Sequence, residues 1–546
     1  MAERVYLYDT TLRDGAQTQG VDFSASDKAK IARELDSLGV DYIEGGWPGA
    51  NPTDDEFFAN PPDLARARLT SFGMTRRAGR SAANDPGLNA LFHPAVQGVT
   101  MVGKSWDFQV TVALGIELDE NLRMIGDSVA HARTRVGEVM LDAEHFFDGY
   151  KKNAPYALAC LKAAYDAGAR WLVLCDTNGG SLPHEIERIV AEVVEAGIPG
   201  THLGIHCHND SDNAVANSLA AVRAGARQVQ GTINGLGERC GNANLLSVAA
   251  NLTLKMGFET GIDLKNLTRV SRALDEVLDR LPNRNQPYVG ASAFAHKGGL
   301  HVSAVAKDPS CYEHVDPASV GNARQIVVSD QAGRSNIVAR MAEFGIDMAS
   351  VRREALVTVV EQMQVDFDPR EVSDLVDLVK RLEHEGYAYD QATASFELLV
   401  RRALGQVPDY FTLERYRVID ERRRNAKGDW VTLSEATVKV EVAGKEYMQV
   451  GEGNGPVHAF DVALRAVLTG VYPELVALGL ADYRVRIVES TAGTEAKTRV
   501  TIESSDGMGR RWTTVGVHTN VLEASLEALQ DSITYMLFSR EPTSQV

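Results

Sequence analysis

The chain has 546 residues, 44% of them hydrophobic and 24% charged, the composition of an ordinary soluble protein with ample core, and its length predicts three or four units. Its formal charge of −18, from 56 Lys and Arg against 74 Asp and Glu, argues against nucleic acid or an anionic membrane surface as the main partner, though not against local basic pockets for an anionic substrate. No apolar run approaches the length that crosses a bilayer, and five scattered cysteines (Cys160, Cys175, Cys207, Cys240 and Cys311) with no CxxC pair predict free thiols in a reducing, cytoplasmic setting.

The N terminus enters a strand-like segment within a few residues of Met1, which leaves no room for a signal peptide. The first half then alternates short apolar runs with amphipathic stretches. The pattern predicts strands at Val5–Tyr8, Tyr42–Glu44, Leu69–Phe72, Val99–Val102, Glu138–Leu141, Trp171–Leu174, Leu203–His206 and Gln228–Ile233. Between them lie helical patterns such as Ser26–Leu38, Asn121–Val136, Tyr156–Ala167 and His184–Ala196. Eight strands alternating with helices read as an α/β fold, a (β/α)8 TIM barrel over residues 1–275. An open doubly wound sheet is the alternative, but it usually places a Gly-rich phosphate turn after its first strand. Here that turn is Asp9-Thr10-Thr11-Leu12-Arg13-Asp14-Gly15, which is polar and charged.

Chemistry in such barrels sits at the C-terminal ends of the strands. Those ends carry Arg13 and Asp14 after strand one, Glu44 at the end of strand two, and Asp142, Glu144 and His145 after strand five. Strand six runs into Asp176-Thr177-Asn178, and strand eight into Asn234-Gly235-Leu236-Gly237-Glu238-Arg239-Cys240-Gly241-Asn242. Strand seven supplies His206 and His208. Residues i and i+2 of a strand share a face, so the two imidazoles aim at one point while Cys207 packs on the other side. Alone, the pair could be two satisfied histidines on a half-buried strand. With Asp14 and an amide oxygen from Asn242 it makes a four-ligand set for Zn, Mn, Fe, Co or Mg that leaves positions open for a substrate.

From about 276 to 425 the texture changes. A Gly-rich loop, Gly290–His301, carries His296 and His301 and runs on to Tyr312; helical patterns follow at Ser335–Glu343, Arg370–His384 and Asp390–Leu404. This reads as an α-helical linker domain, and His301 is a catalytic candidate because function concentrates on loops held by a scaffold. Residues 426–546 contain a weak repeat: Val450–Ala459 can be laid on Val515–Ala524. Strand patterns precede each copy (Ala436–Val442 and Glu446–Val450; Lys497–Glu503 and Arg511–Val515), and helical patterns follow (Ala459–Leu468; Leu522–Leu537). The expectation is an α+β domain with a duplicated ββα unit. The turn Gly451-x-Gly453-x-Gly455-Pro456, opening a helix at Ala459, could hold an effector carboxylate on free N–H groups, or serve as a tight packing turn.

Three stretches together, Asp9–Gln17, His206–Asp210 and Asn234–Asn242, resemble the signatures of the isopropylmalate/homocitrate/citramalate synthases, metal-dependent barrels that share an Asp-Arg-Glu set. The resemblance covers barrel, linker and repeat domain. Glu44–Pro52, Gly103–Asp107 and Ala143–Tyr150 look closest to the branch that makes citramalate from acetyl-CoA and pyruvate, on the route to isoleucine through 2-oxobutanoate. The resemblance implies a divalent metal (Mn, Mg, Zn or Co) on Asp14, His206, His208 and Asn242, chelating the keto acid, with acetyl-CoA as co-substrate. It implies Arg13, Gln17, Thr177 and Glu44 as substrate contacts, with Thr177 on the keto-acid carboxylate and Arg13 on the developing oxyanion. Glu144 corresponds to the proposed base, and His301 and Tyr312 would reach in from a neighbouring subunit of a homodimer. Gly451, Gly453, Gly455, Pro456 and Ala459 would lie in the amino-acid-sensing domain, with isoleucine the expected effector.

One departure stands out: Asp142 occupies a place where relatives are expected to carry serine or tyrosine, and a second carboxylate beside Glu144 could raise the pKa of either. The rival readings are a synthase for 2-oxoisovalerate or 2-oxoglutarate, decided by pocket size, and a non-catalytic amino-acid sensor on a dead barrel.

Overall fold

The computed structural model describes residues 2–327, 334–363, 365–424, 427–488, 495–508 and 510–540. Two compact units result: Met1–Phe294 with His314–Arg324, and Ala295–Glu313 with Gln325–Val546.

In the first unit, β1 (Tyr6–Asp9), β2 (Tyr42–Glu44), β3 (Arg68–Met74), β4 (Gly98–Lys104), β5 (Glu138–Glu144), β6 (Trp171–Asp176), β7 (Leu203–Cys207) and β8 (Gln228–Gly231) pair in order, all parallel. The barrel closes where β8 pairs with β1, Tyr6 opposite Gln228 and Asp9 opposite Gly231. The predicted TIM barrel is therefore present. Outward side chains such as Leu7, Ile43, Val99, Leu141, Leu172, Ile205 and Val229 join the helices in the main core; Cys207 is buried there too, as its position on the strand requires. Inward ones, Tyr8, Tyr42, Met140, Trp171, Val173 and Cys175, form a separate plug inside the barrel. The plug fills the interior of the barrel, and Cys175 at its edge is also a wall of the cavity at the C-terminal ends of the strands.

Helix boundaries follow local chemistry. The helix Ala25–Leu38 starts on a capping box of Ser24 and Asp27 and stops at Gly39, whose φ of 100° only glycine takes easily. The helix expected from Tyr156 begins ten residues earlier, as Phe146–Asp166. Pro155 and the non-helical Asn153 (φ −148°) interrupt its pattern. Strand eight stops at Gly231, short of the expected Ile233, because Ile233–Gly235 turns into a 3-10 segment.

The second unit opens with a short parallel pair, β9 (Ala295–His296) and β10 (Gln325–Ile326), and the helices Gly299–Val305, Arg334–Glu343, Arg353–Glu361, Leu375–Glu385 and Thr393–Ala403. Two three-stranded antiparallel sheets follow, β11 (Thr412–Arg424), β12 (Trp430–Val442) and β13 (Lys445–Gly453), then β14 (Gly479–Ile487), β15 (Thr498–Ser505) and β16 (Arg511–His518). A helix follows each sheet, Pro456–Leu468 and Val521–Arg540. The duplicated unit is thus βββα, one strand more than the sequence pattern predicts. The extra strands, β11 and β14, are mostly exposed, and the residues they turn to the core, such as Tyr416, Val418 and Tyr483, are only partly buried, which weakens the pattern that marks a strand. The duplication itself is visible at atomic level. A Cβ on Gly451 would meet Ala459 O and Ala463 N, and one on Gly516 would meet Ala524 O and Ala528 N; the second set lies 65 positions after the first. The expected domain edge between 425 and 426 falls outside the described residues; β11 before it pairs along its length with β12 after it.

Candidate active site

The four expected ligands converge at the C-terminal mouth of the barrel. His206 and His208 face inward from the end of β7 with ring centroids 5.2 Å apart. Asp14 occupies the N-cap position of the turn Gly15–Gln17, yet its side chain makes no capping bond. Instead its Oδ2 lies 3.2 Å from His206 Nε2 and 4.0 Å from His208 Nε2. One ligand atom from each of the three lies within 4.8 Å of the others, and all three residues are buried. Asn242 reaches them through the bridge that pairs it with His208. The Gly-rich loop before it permits this: a Cβ on Gly241 would collide with the Gly235 carbonyl, and its φ is +92°.

These groups fit a divalent cation. Asn242 Nδ2 donates to Asp14 Oδ2 at 2.8 Å, while Asn242 Oδ1 and His208 Nδ1 are buried with no hydrogen-bond partner among the described residues. A half-turn of the amide would turn an oxygen toward the carboxylate and the imidazoles, an arrangement that only a cation between them would favour. Burial and the charge of His206 push the His208 imidazole down to about 4, so at neutral pH it keeps a free lone pair. Burial works to push the Asp14 carboxyl up, but Arg13 and the imidazoles outweigh it and hold it well below the carboxylate range.

The supporting residues are as ordered as the ligands. His206 Nδ1 lies 2.8 Å from Gln230 Oε1, and Gln230 Nε2 donates to Asp142 Oδ1 at 3.1 Å. Asp142 is buried, and desolvation followed by the charge of Glu44 pushes its carboxyl up to about 7. The carboxylate acting on Asp142 is therefore Glu44, from across the barrel, although Glu144 does share its face of β5. Glu44 is fully buried and is not one of the cavity walls. It accepts from Arg13 Nε at 2.6 Å and from Tyr8 OH at 2.8 Å. Its visible work is to hold Arg13, whose guanidinium also stacks 3.7 Å from the Phe72 ring centroid. Burial opposes the charge on Arg13, but Glu44 and Asp14 overcome it and keep the guanidinium firmly cationic.

Around these groups is a cavity of about 270 Å³. Arg13, Asp14, Gln17, Glu144, Thr177, His206 and His208 line it, as the sequence predicts for site residues. The Thr177 hydroxyl accepts from the His145 backbone N–H at 2.9 Å, which leaves its own proton to donate. Glu144 is paired with Lys104, a residue that sequence reasoning missed. Phe72, Met74 and Val102 were missed as well. The available signal was period two: Phe72 and Met74 on β3, and Val102 and Lys104 on β4, share the inward face.

His301 and Tyr312 belong to the second unit, where their rings stack with centroids 4.0 Å apart. Gly451 and Gly453 let the helix Pro456–Leu468 approach β13, with backbone atoms of Ala459 against both. Gly455 is the N-cap of that helix and is open on its Cβ side.

Comparison with known proteins places these features in context. Residues 4–274 match the HMGL-like family model, residues 288–368 the homocitrate synthase post-HMGL domain-like model, and residues 391–537 the LeuA allosteric (dimerisation) domain. The chain is 52% identical over 547 residues to an (R)-citramalate synthase of Aquifex aeolicus (strain VF5), covering 99% of both chains. It is 48% identical over 543 residues to an (R)-citramalate synthase of Synechocystis sp., covering 98% of this chain and 96% of that one. A probable 2-isopropylmalate synthase of Methanopyrus kandleri is more distant, 32% identical over 529 residues and 97% of each chain.

Proposed function

This chain belongs to the (R)-citramalate synthase family, and we propose that its barrel condenses acetyl-CoA with pyruvate and hydrolyses the product thioester to (R)-citramalate and CoA. The carrying observation is the buried Asp14–His206–His208 cluster opening on one small cavity beside Arg13 and Thr177. When bound there, a divalent metal on Asp14, His206, His208 and the Asn242 amide supplies Lewis acidity to the keto acid.

The chain's own residues do the rest. Thr177 and Gln17 hold the carboxylate end of pyruvate in the cavity. Glu144, held by Lys104, takes a proton from the acetyl methyl, and the resulting carbon attacks the keto carbon to form the new C–C bond. Arg13, aimed by Glu44, stabilises the negative charge that collects on the keto oxygen. That oxygen is then protonated. A water adds to the thioester carbonyl, the C–S bond breaks, and the sulfur leaves as the thiol of CoA. His301 and Tyr312 of a neighbouring subunit assist, in a homodimer assembled through the C-terminal domain.

That domain carries the regulation: isoleucine is the effector, with its carboxylate at the N-terminal end of the helix Pro456–Leu468. The free thiols of all five cysteines accord with a cytoplasmic enzyme, and among the described residues no helix is long and apolar enough to cross a membrane.

The test is a thiol-release assay with acetyl-CoA and a panel of 2-oxo acids. Turnover with pyruvate well above that with 2-oxoisovalerate or 2-oxoglutarate is expected; the reverse preference would refute the reading. Inhibition by isoleucine rather than leucine is expected in the same assay.

A further inference from the structure

The acyl donor ends in a nucleotide with a diphosphate and a 3′-phosphate, and the cavity has little to offer them. Its two cationic walls are committed, Arg13 to Glu44 and Asp14, and Lys104 to Glu144. The loop leaving β3 is different. Met74, the last residue of β3, is a wall of the cavity and 39% exposed at its mouth. Thr75-Arg76-Arg77-Ala78-Gly79-Arg80 follows directly, three arginines in six residues of an acidic protein.

Arg76 serves the loop itself. Its guanidinium pairs with Glu120 at 2.9 Å and Asp127 at 2.8 Å, and its backbone N–H donates to Ser128 Oγ at 2.8 Å. Thr75 N–H donates to Val102 O at 3.2 Å, and Arg77 N–H to Asp85 Oδ2 at 2.8 Å. The loop is thus fastened to β4, to the helix Leu118–Arg133 and to Asp85. Arg77 and Arg80 are left exposed; among the described residues no close ion pair holds either side chain, although Arg77 is near enough to the Asp85 carboxylate for its charge to help lower that group's pKa. Several other cations on the barrel's loops and helices are paired: Arg239 with Asp210, Lys151 with Glu185, Arg123 with Glu120. Arg80 is six residues past Met74, so its Cα lies within about 20 Å of that wall, compatible with a donor whose acetyl end is in the cavity and whose nucleotide end is on the rim.

We propose that Arg77 and Arg80 form the subsite for the phosphates of the acyl donor's nucleotide end. Guanidinium groups bind phosphate oxygens through paired, charge-assisted hydrogen bonds. A pair of them on an acidic protein also gives an anionic donor a local place to dock. The proposal rests on the reading above that acetyl-CoA is the donor, and its test separates the two.

Steady-state kinetics, with each substrate varied at saturation of the other, would compare the intact enzyme, the double variant Arg77→Ala/Arg80→Ala and the control Lys152→Ala, an exposed cation on the helix after β5. The donors are acetyl-CoA, acetyl-dephospho-CoA, which lacks the 3′-phosphate, and S-acetylpantetheine, which lacks every phosphate. The double variant should raise KM for acetyl-CoA about tenfold, with kcat and KM for pyruvate unchanged, while S-acetylpantetheine gives the same KM with both proteins. Lys152→Ala should behave as the intact enzyme. If the KM rise persists with acetyl-dephospho-CoA, the arginines hold the diphosphate; if it disappears, they hold the 3′-phosphate. An unchanged KM for acetyl-CoA, an equal rise with S-acetylpantetheine, or an equal effect of Lys152→Ala would overturn the proposal. No turnover of acetyl-CoA by the intact enzyme would instead overturn the functional reading beneath it.

Discussion

Gln230 Oε1 lies 2.8 Å from His206 Nδ1, and this contact decides which imidazole nitrogen faces Asp14. Because Asp142 takes the proton-bearing end of the Gln230 amide, only its oxygen is left for His206. The histidine then donates from Nδ1 and turns Nε2 toward Asp14, whose carboxylate favours a proton there until a cation takes its place. Partners of this kind typically change metal affinity 10- to 100-fold when removed. Gln230→Leu should therefore weaken divalent metal binding by about that factor, read by titrating chelator-stripped protein with Mn²⁺ and following the free ion by electron paramagnetic resonance. Unaltered affinity would show that the amide does not orient the ligand.

Metal removal should abolish turnover, and restoring a divalent cation should bring it back. Asp14→Ala, His206→Ala and His208→Ala should each lose bound metal and activity together, measured by elemental analysis alongside the thiol-release assay. Full activity after exhaustive chelation would contradict the mechanism.

Glu144→Gln keeps the shape of the side chain and removes the base. Turnover should fall by about 10² to 10⁴, while pyruvate binding, followed calorimetrically, is retained. If turnover survives, the proton goes elsewhere, and His301 becomes the group to substitute next.

Glu44→Gln tests the positioning of Arg13. Glu44 is fully inaccessible and the Arg13 side chain largely so. Removing one charge of such a pair costs about 3–5 kcal/mol when it leaves the other unpaired, but Asp14 remains near Arg13 at 3.6 Å, so the cost should fall at or below the low end. A lowered melting temperature together with a reduced kcat is expected. Loss of kcat with no change in melting temperature would point to direct substrate contact by Glu44.

In the second unit, desolvation pushes the Glu527 carboxyl up to about 7, against hydrogen bonds from Tyr387 OH and Val517 N–H and the charge of Arg402. The folded state therefore keeps a proton that the unfolded chain releases near 4.5. This contribution to stability is complete below that value and is lost as pH rises through about 7. Thermal unfolding of the intact chain at pH 5, 6, 7 and 8 should show that decline, and Glu527→Gln should flatten it. A slope unaffected by the substitution would assign it to other groups, Asp9 among them, whose carboxyl burial also raises to about 7.

What could be read in advance was whatever has a local period. His206 and His208 share a face because strands alternate, and this holds before any partner strand is known. The eight β-runs, the rim they define and Asp14 after the first of them follow from the same short-range geometry. The Gly451/Gly516 duplication was legible because matching residues recur at a constant offset. The outer strands β11 and β14 were missed although Tyr416-Arg417-Val418 and Tyr483-Arg484-Val485-Arg486-Ile487 alternate, because arginines fill the intervening positions and the apolar ones are at most partly buried.

The sequence by itself determined the eight strand runs, the polar residues at their C-terminal ends and the shared face of His206 and His208, because each depends on spacing within one strand or turn. Only the tertiary structure decided which groups serve those residues: Gln230 and Asp142 behind His206, Glu44 behind Arg13, Lys104 on Glu144. These partners come from different strands and meet only when β8 closes on β1 and the inward faces are brought together. No local pattern records which residue will stand opposite which across a closed sheet.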